Sequence, residues 1–343
     1  MFSRPTQTYL GRPTPMDPSV RIIFCWAYSK EKEGWLEKED STQYLIRELA
    51  KVYDVFVCII GTKMEGWTYG NARYIGCADR DALLVTVLTL AQAHRGDVVF
   101  MLNSHDTFDQ QVVTCRPDRR PFKTKIMAYC HGQNVVNWHG AIDGHLVSTE
   151  HQATYNRRVH GDTTPYHVLP HSPDLEMFKP SKGPKKYDVF YPARRDSNKR
   201  VELLERACRI GGFSLKILDG NVVEQRMSRG RRAIQTGDMP LMYQQAKVMC
   251  STSRTEGGSR ILVEAMACNV PVVVCSDCRS NADYVRLYGG YAVQPTPEAL
   301  AKGIRTAIDL PAIDTRSALI EHGVYYQATY AKLRTILDRL VTG

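Results

Sequence analysis

No stretch of this chain is apolar for long enough to cross a bilayer. The longest greasy run, Leu83 to Ala93, covers eleven residues, against roughly 20 for a spanning helix. The N-terminus also lacks the apolar core of a secretory leader, since Met1-Phe2-Ser3-Arg4-Pro5 runs into polar, proline-rich sequence. Together these absences predict a cytoplasmic protein. Of the ten cysteines, only Cys275 and Cys278 form a C-x-x-C. A zinc site needs a second ligand pair, and none is spaced nearby. Most of the other cysteines stand in apolar runs such as Val57-Cys58-Ile59, so buried reduced thiols are expected and a metal is not. Aromatic residues make up 9% of the chain, with no aromatic-rich cluster of the kind a nucleic-acid module uses.

What is present is ordinary globular material. The 343 residues are 43% hydrophobic and 24% charged, which argues against disorder and supplies two cores at roughly 100–200 residues per domain. Lys and Arg number 45 against 36 Asp and Glu, for a net charge of +9. Such a charge attracts anions over distance. Nucleotide sugars, nucleic acid such as DNA, and acidic membrane surfaces all qualify, and the charge does not choose among them. Arg226, Arg229, Arg231 and Arg232 crowd into seven residues. They read either as a solvated face or as a contact for a polyanionic acceptor, whose binding would be steeply salt-dependent.

Residues 1–19 carry four prolines and are expected to be a flexible lead-in. Apolar runs at Arg21–Trp26, Asp54–Ile60, Asp97–Leu102, Lys125–Tyr129, Gly144–Ser148 and His167–Pro170 then read as strands, with helical periodicity at Thr42–Val52, at Asp81–His94 and from Glu150. Pro170 to Lys186 is rich in proline, lysine and serine and reads as a linker. The alternation restarts with strands at Tyr187–Tyr191, Ser214–Leu218, Val248–Ser251 and Val270–Cys275. Helices are expected at Lys199–Ile210, Pro240–Ala246, Ser259–Cys268, Ala282–Tyr288 and Pro297–Ile308, with Thr315–Leu340 as one long helical tail. Alternating strands and helices imply parallel sheets covered by helices, with ligands beyond the carboxyl ends of the strands.

The segment richest in chemistry runs Ser251-Thr252-Ser253-Arg254-Thr255-Glu256-Gly257-Gly258-Ser259-Arg260-Ile261-Leu262-Val263-Glu264. It leaves a strand, turns through two glycines and opens a helix. Unpaired N–H groups at such a helix start suit a phosphate, and glycine lets backbone approach closely. One carboxylate is placed to accept from sugar hydroxyls and the other from a ribose diol. The bland alternative is a structural strand–glycine–helix turn with Glu264 as a solvated helix residue.

Glu256-x7-Glu264, followed by Ala265-Met266-Ala267 and Pro271-Val272-Val273, resembles the donor motif of glycosyltransferase family 4 (glycosyl transferases group 1). Tyr191-Pro192-Ala193-Arg194, with Lys199 five residues after the arginine, Gly237 to Ala246, and Pro297-Glu298-Ala299-Leu300-Ala301 are similar to further family segments in the same order. The resemblance implies a GT-B fold: two Rossmann-like parallel-sheet domains facing a cleft. Residues 20–170 would form the N-terminal acceptor-side domain, 171–186 the linker, 187–314 the C-terminal nucleotide-sugar domain, and 315–343 a C-terminal helix crossing back to the N-terminal domain. It implies transfer of a hexose or related sugar from a UDP- or GDP-type donor to an acceptor hydroxyl, typically with retention, and with neither metal nor cofactor.

Carried over to this chain, the resemblance puts Arg194 and Lys199 on the donor diphosphate, Glu256 on the transferred sugar, Gly257, Gly258 and Ser259 on phosphate or sugar through their backbone, and Glu264 on the ribose. His131 would stand near the sugar, with Lys30 and His105 as acceptor-side candidates. Departures include Ala27-Tyr28-Ser29-Lys30 where the family often has paired glycines, Gly258-Ser259 in place of an aromatic–glycine pair, and Ser276-Asp277-Cys278 where a glycine-rich stretch is usual. The acceptor stays open between a glycan, lipid or small-molecule hydroxyl and a modified base in DNA. A non-catalytic nucleotide-binding module and a nucleotide-sugar epimerase are the remaining alternatives.

Overall fold

The computed structural model describes residues 19–29, 41–60, 67–102, 107–116, 122–130, 142–161, 164–218, 236–310 and 313–342. By contact density the chain divides into two units. One comprises Met1–Glu33, Leu45–Ala128 and Asp338–Gly343, and the other Gly34–Tyr44 with Tyr129–Leu337.

The first half runs β1 (Val20–Ser29), α1 (Ser41–Leu49), β2 (Asp54–Ile60), β3 (Trp67–Tyr69), β4 (Ala72–Cys77), α2 (Arg80–Ala93), β5 (Asp97–Leu102), α3 (Thr107–Cys115), β6 (Thr124–Cys130), β7 (Gly144–Val147), α4 (Glu150–His160) and β8 (Tyr166–Val168). Its strands order as β3-β4-β2-β1-β5-β6-β7-β8, and β3 pairs antiparallel with β4. The expected strands and helices are present. The short β3–β4 hairpin and α3 were not anticipated, because Trp67–Tyr69 is too short for a period to show. Asp79-Arg80-Asp81, the chain's one Asp-x-Asp, opens α2, where Asp79 caps the helix by accepting from Ala82 N at 2.8 Å.

The second half runs β9 (Tyr187–Pro192), α5 (Val201–Gly211), β10 (Leu215–Leu218), a 3-10 turn (Thr236–Asp238), α6 (Met239–Gln244), β11 (Ala246–Ser251), α7 (Arg260–Ala267), β12 (Val272–Cys275), α8 (Arg279–Tyr288), β13 (Tyr291–Val293), α9 (Pro297–Asp309), α10 (Thr315–Glu321) and α11 (Tyr326–Thr342). The sheet order is β10-β9-β11-β12-β13, with every pair parallel. Side chains alternate across the sheet as a period of two demands. Phe190, Met249, Val272 and Val274 enter one core layer. Val189, Tyr191, Val248, Cys250, Val273 and Cys275 enter the other. Both faces are covered, which is why β12 reads as an unbroken valine run rather than an alternating one.

The expected single tail helix is two. After α10 the chain passes His322 and then Gly323 at φ 66°. Val324 N bonds to Leu319 O at 2.8 Å and Gly323 N to Ile320 O at 3.1 Å, a Schellman stop that a left-handed glycine makes easy. The guanidinium of Arg316 donates to the carbonyls of Phe178 (2.5 Å), Ala267 (2.8 Å) and Leu175 (2.9 Å). It thereby clamps residues 175–178 to the carboxyl end of α7, where a cation is favoured.

Candidate functional site

Two loops leave the carboxyl ends of the neighbouring strands β9 and β11. The first, 193–200, is folded by Asp196, whose carboxylate accepts from Lys199 N at 2.9 Å, the local turn that aspartate favours. The second, 252–259, is laced to it. The Asn198 side chain donates to Thr255 O at 3.1 Å and accepts from Thr255 N and Oγ1, both at 3.0 Å. Arg254 N reaches Asn198 O at 2.8 Å, and Thr252 Oγ1 reaches Lys199 O at 2.7 Å. Beneath them the Tyr191 hydroxyl bonds with Ser253 Oγ at 3.0 Å. Burial pushes that phenol up to about 12, and its bond to Ser253 ties β9 to the loop above it.

This lacing brings together two residues 57 positions apart. The Lys199 ammonium is hydrogen-bonded and ion-paired to the Glu256 carboxylate. The side chains are 19% and 18% exposed, sheltered yet reachable. Arg194 lies in the same loop, 68% exposed, with its guanidinium 3.6 Å from Asp196.

Gly257, Gly258 and Ser259 carry the loop into α7. Ser259 stands at the N-cap without a side-chain capping bond, so the first-turn N–H groups are not taken by its hydroxyl. At Gly258 a Cβ would fall 2.5 Å from Ser148 Cβ and 2.9 Å from Tyr284 Oη, closer than real side chains pack. The preceding carbonyl, of Gly257, accepts from Thr149 Oγ1 at 3.2 Å. Thr149 also caps α4, accepting from Gln152 N at 3.1 Å.

Glu264 is not a solvated helix residue. It is 5% exposed within a helix whose residues 262–267 are all buried. A buried carboxylate is costly unless paired. Here Tyr243 Oη donates to Oε2 at 2.8 Å, and Arg260 Nε lies 3.3 Å from Oε1. Burial, then the neighbouring carboxylate, hold the Tyr243 phenol well above its ordinary value, so it remains a donor.

Neither Arg200 nor Asp277 stood out in the sequence. Arg200 follows Lys199 at φ 47° and forks onto Asp277 at 2.7 and 2.8 Å. Position-specific φ leaves no trace in residue types, and Asp277 stood in a stretch marked only as a departure. Tyr243 lay in a segment noted for its order alone. His131, His105, Lys30 and the arginines at 226–232 lie outside the described residues. Cys275 and Cys278 are free and buried, with thiols pushed up to about 12 and about 11 by that burial. Among the described residues no three His, Cys, Asp or Glu side chains are grouped to hold a metal ion, and no helix is long and apolar enough to cross a membrane.

Residues 232–324 match the family model described as glycosyl transferases group 1. No curated protein sequence matches the chain significantly. Similar solved structures include sucrose-phosphate synthase from Thermosynechococcus elongatus, at 15% identity and TM-score 0.71 over 94% of this chain and 99% of that one. HepE from Anabaena, in complex with UDP-glucose, aligns at 14% identity and TM-score 0.68 over 93% and 99%. AviGT4, a glycosyltransferase involved in avilamycin A biosynthesis, aligns at 15% identity and TM-score 0.65 over 95% and 99%. At these identities the likeness speaks for architecture, and the architecture is GT-B: two parallel-sheet α/β domains, the second carrying the group 1 segment.

Proposed function

We propose that this protein is a glycosyltransferase that moves a sugar from a nucleoside-diphosphate donor to an acceptor hydroxyl. The observation that carries the reading is the Lys199–Glu256 pair together with a buried, hydrogen-bonded Glu264, both carboxylates lying within the group 1 segment. On this reading Lys199 exchanges its carboxylate partner for the donor diphosphate, with Arg194 adding a second cation, and together they offset leaving-group charge. The released Glu256 accepts from hydroxyls of the transferred sugar. The N–H groups of Gly257, Gly258 and Ser259 face phosphate or sugar. Glu264 accepts from the ribose diol. UDP is the favoured carrier, since a structural neighbour is described with UDP-glucose. Two cations and a helix start supply the charge that a metal would otherwise bring. A retaining, same-face displacement fits, with the leaving phosphate taking the acceptor proton and His131 near the sugar. Lys30 and His105 remain the acceptor-side candidates.

The test is a thermal shift of the wild type, Lys199→Ala and Glu264→Ala against UDP, GDP, ADP, TDP and their sugars. A ligand at a hundred times its dissociation constant stabilises by about 2.7 kcal/mol, a rise of several degrees. The expected result is a shift with one nucleotide in the wild type and a clearly smaller one in each variant at the same nucleotide concentration. No shift with any nucleotide would overturn the donor-site assignment.

A further inference from the structure

Arg200 is one of two described residues other than glycine with positive φ, the other being Asn269. At φ 47° and ψ 45° it opens α5 in the left-handed region, which costs a side-chain-bearing residue and persists only where surrounding contacts hold it. Its contacts are unusually far-reaching. Nε donates to Thr252 O at 2.7 Å and Nη2 to Ser253 O at 3.2 Å, while Nη1 and Nη2 form the fork on Asp277. The backbone comes from the loop after β9, the two carbonyls from the loop after β11, and the carboxylate from the loop after β12. These are three adjacent strands of one sheet. The Arg200 side chain is 13% exposed, so the tether is partly shielded from solvent.

From this geometry we infer that Arg200 and Asp277 form a positioning device for the donor site, holding the Lys199 ammonium and the Glu256 loop at fixed separation before the donor arrives. The inference rests on the glycosyltransferase reading above, because it assigns Lys199 to the donor diphosphate. Glycine at position 200 would relax the backbone and cut the tether, so strain and positioning make opposite demands there. A purely structural tether would alter stability alone. A positioning tether alters nucleotide affinity, and does so through Lys199.

The experiment measures UDP binding by calorimetry, and melting temperature without ligand, for the wild type, Arg200→Gly, Asp277→Ala, Lys199→Ala and the Arg200→Gly/Lys199→Ala double variant. Arg200→Gly and Asp277→Ala are each expected to weaken UDP about fivefold or more. In the Lys199→Ala background Arg200→Gly should add less than about twofold, since coupled residues are non-additive. Asp277→Ala leaves the backbone at position 200 untouched and keeps the test open if Arg200→Gly folds poorly. Equal weakening in both backgrounds, or a changed melting temperature with unchanged UDP affinity, would overturn the inference while leaving the donor site standing. If the wild type binds neither UDP nor any other nucleoside diphosphate, the functional reading and this inference fall together.

Discussion

The hydroxyl of Tyr243 donates to Glu264 Oε2 across 2.8 Å, with both groups inside the core. Phenylalanine at 243 would keep the ring in its apolar layer against Phe178 and Phe190 and remove one donor from a buried charge. Tyr243→Phe should therefore cost about 1–3 kcal/mol in stability and weaken nucleotide binding. Denaturant midpoints and UDP calorimetry check the two effects separately. An unchanged affinity would mean that Glu264 is held well enough without the phenol.

Gly258 leaves no room for a methyl group beside Ser148 and Tyr284. Gly258→Ala is expected to destabilise by about 1–3 kcal/mol, the usual cost of overpacking. Adding Ser148→Gly removes the atom 2.5 Å away and should recover part of the loss. Melting curves of the single and double variants decide it. No recovery would place the strain at Tyr284 instead.

Asp188 is held down to about 2, chiefly by its bond with Lys247 and then by the hydroxyl and N–H of Ser214. Its folded value lies below the roughly 3.9 of an unfolded aspartate. The stability it contributes is thus complete above about pH 4 and is lost as pH falls toward 2. Asp188→Asn should lower the melting temperature near neutrality and flatten its fall in that acid window. A parallel displacement of the whole curve would contradict this.

Much of this was legible beforehand because parallel sheets buried on both faces write themselves as valine and isoleucine runs. The strand Val272–Cys275 and the glycine turn into α7 are of that kind. Glu256 and Glu264 could be picked out by their places around the glycine turn, yet those places left Glu264 open between a ribose contact and a solvated helix residue. Its burial follows from the packing of α6, which brings Tyr243 over the helix. The break at Gly323 was readable as a stop signal and was overrun by the apolar period on either side. Arg200 was hidden for a different reason. A left-handed arginine and a fork spanning 77 positions are properties of the folded backbone, and no local pattern encodes them.

The Thr149 hydroxyl, described above as bonding the Gly257 carbonyl, also fixes something on the other side of that peptide. A peptide unit is flat and its C=O and N–H point in opposite directions. Pinning the carbonyl of Gly257 toward Thr149 therefore aims the N–H of Gly258 directly away from it. A threonine 108 residues upstream sets the heading of a backbone dipole at the mouth of α7, so that even a one-atom change such as Thr149→Val would free that plane to rotate.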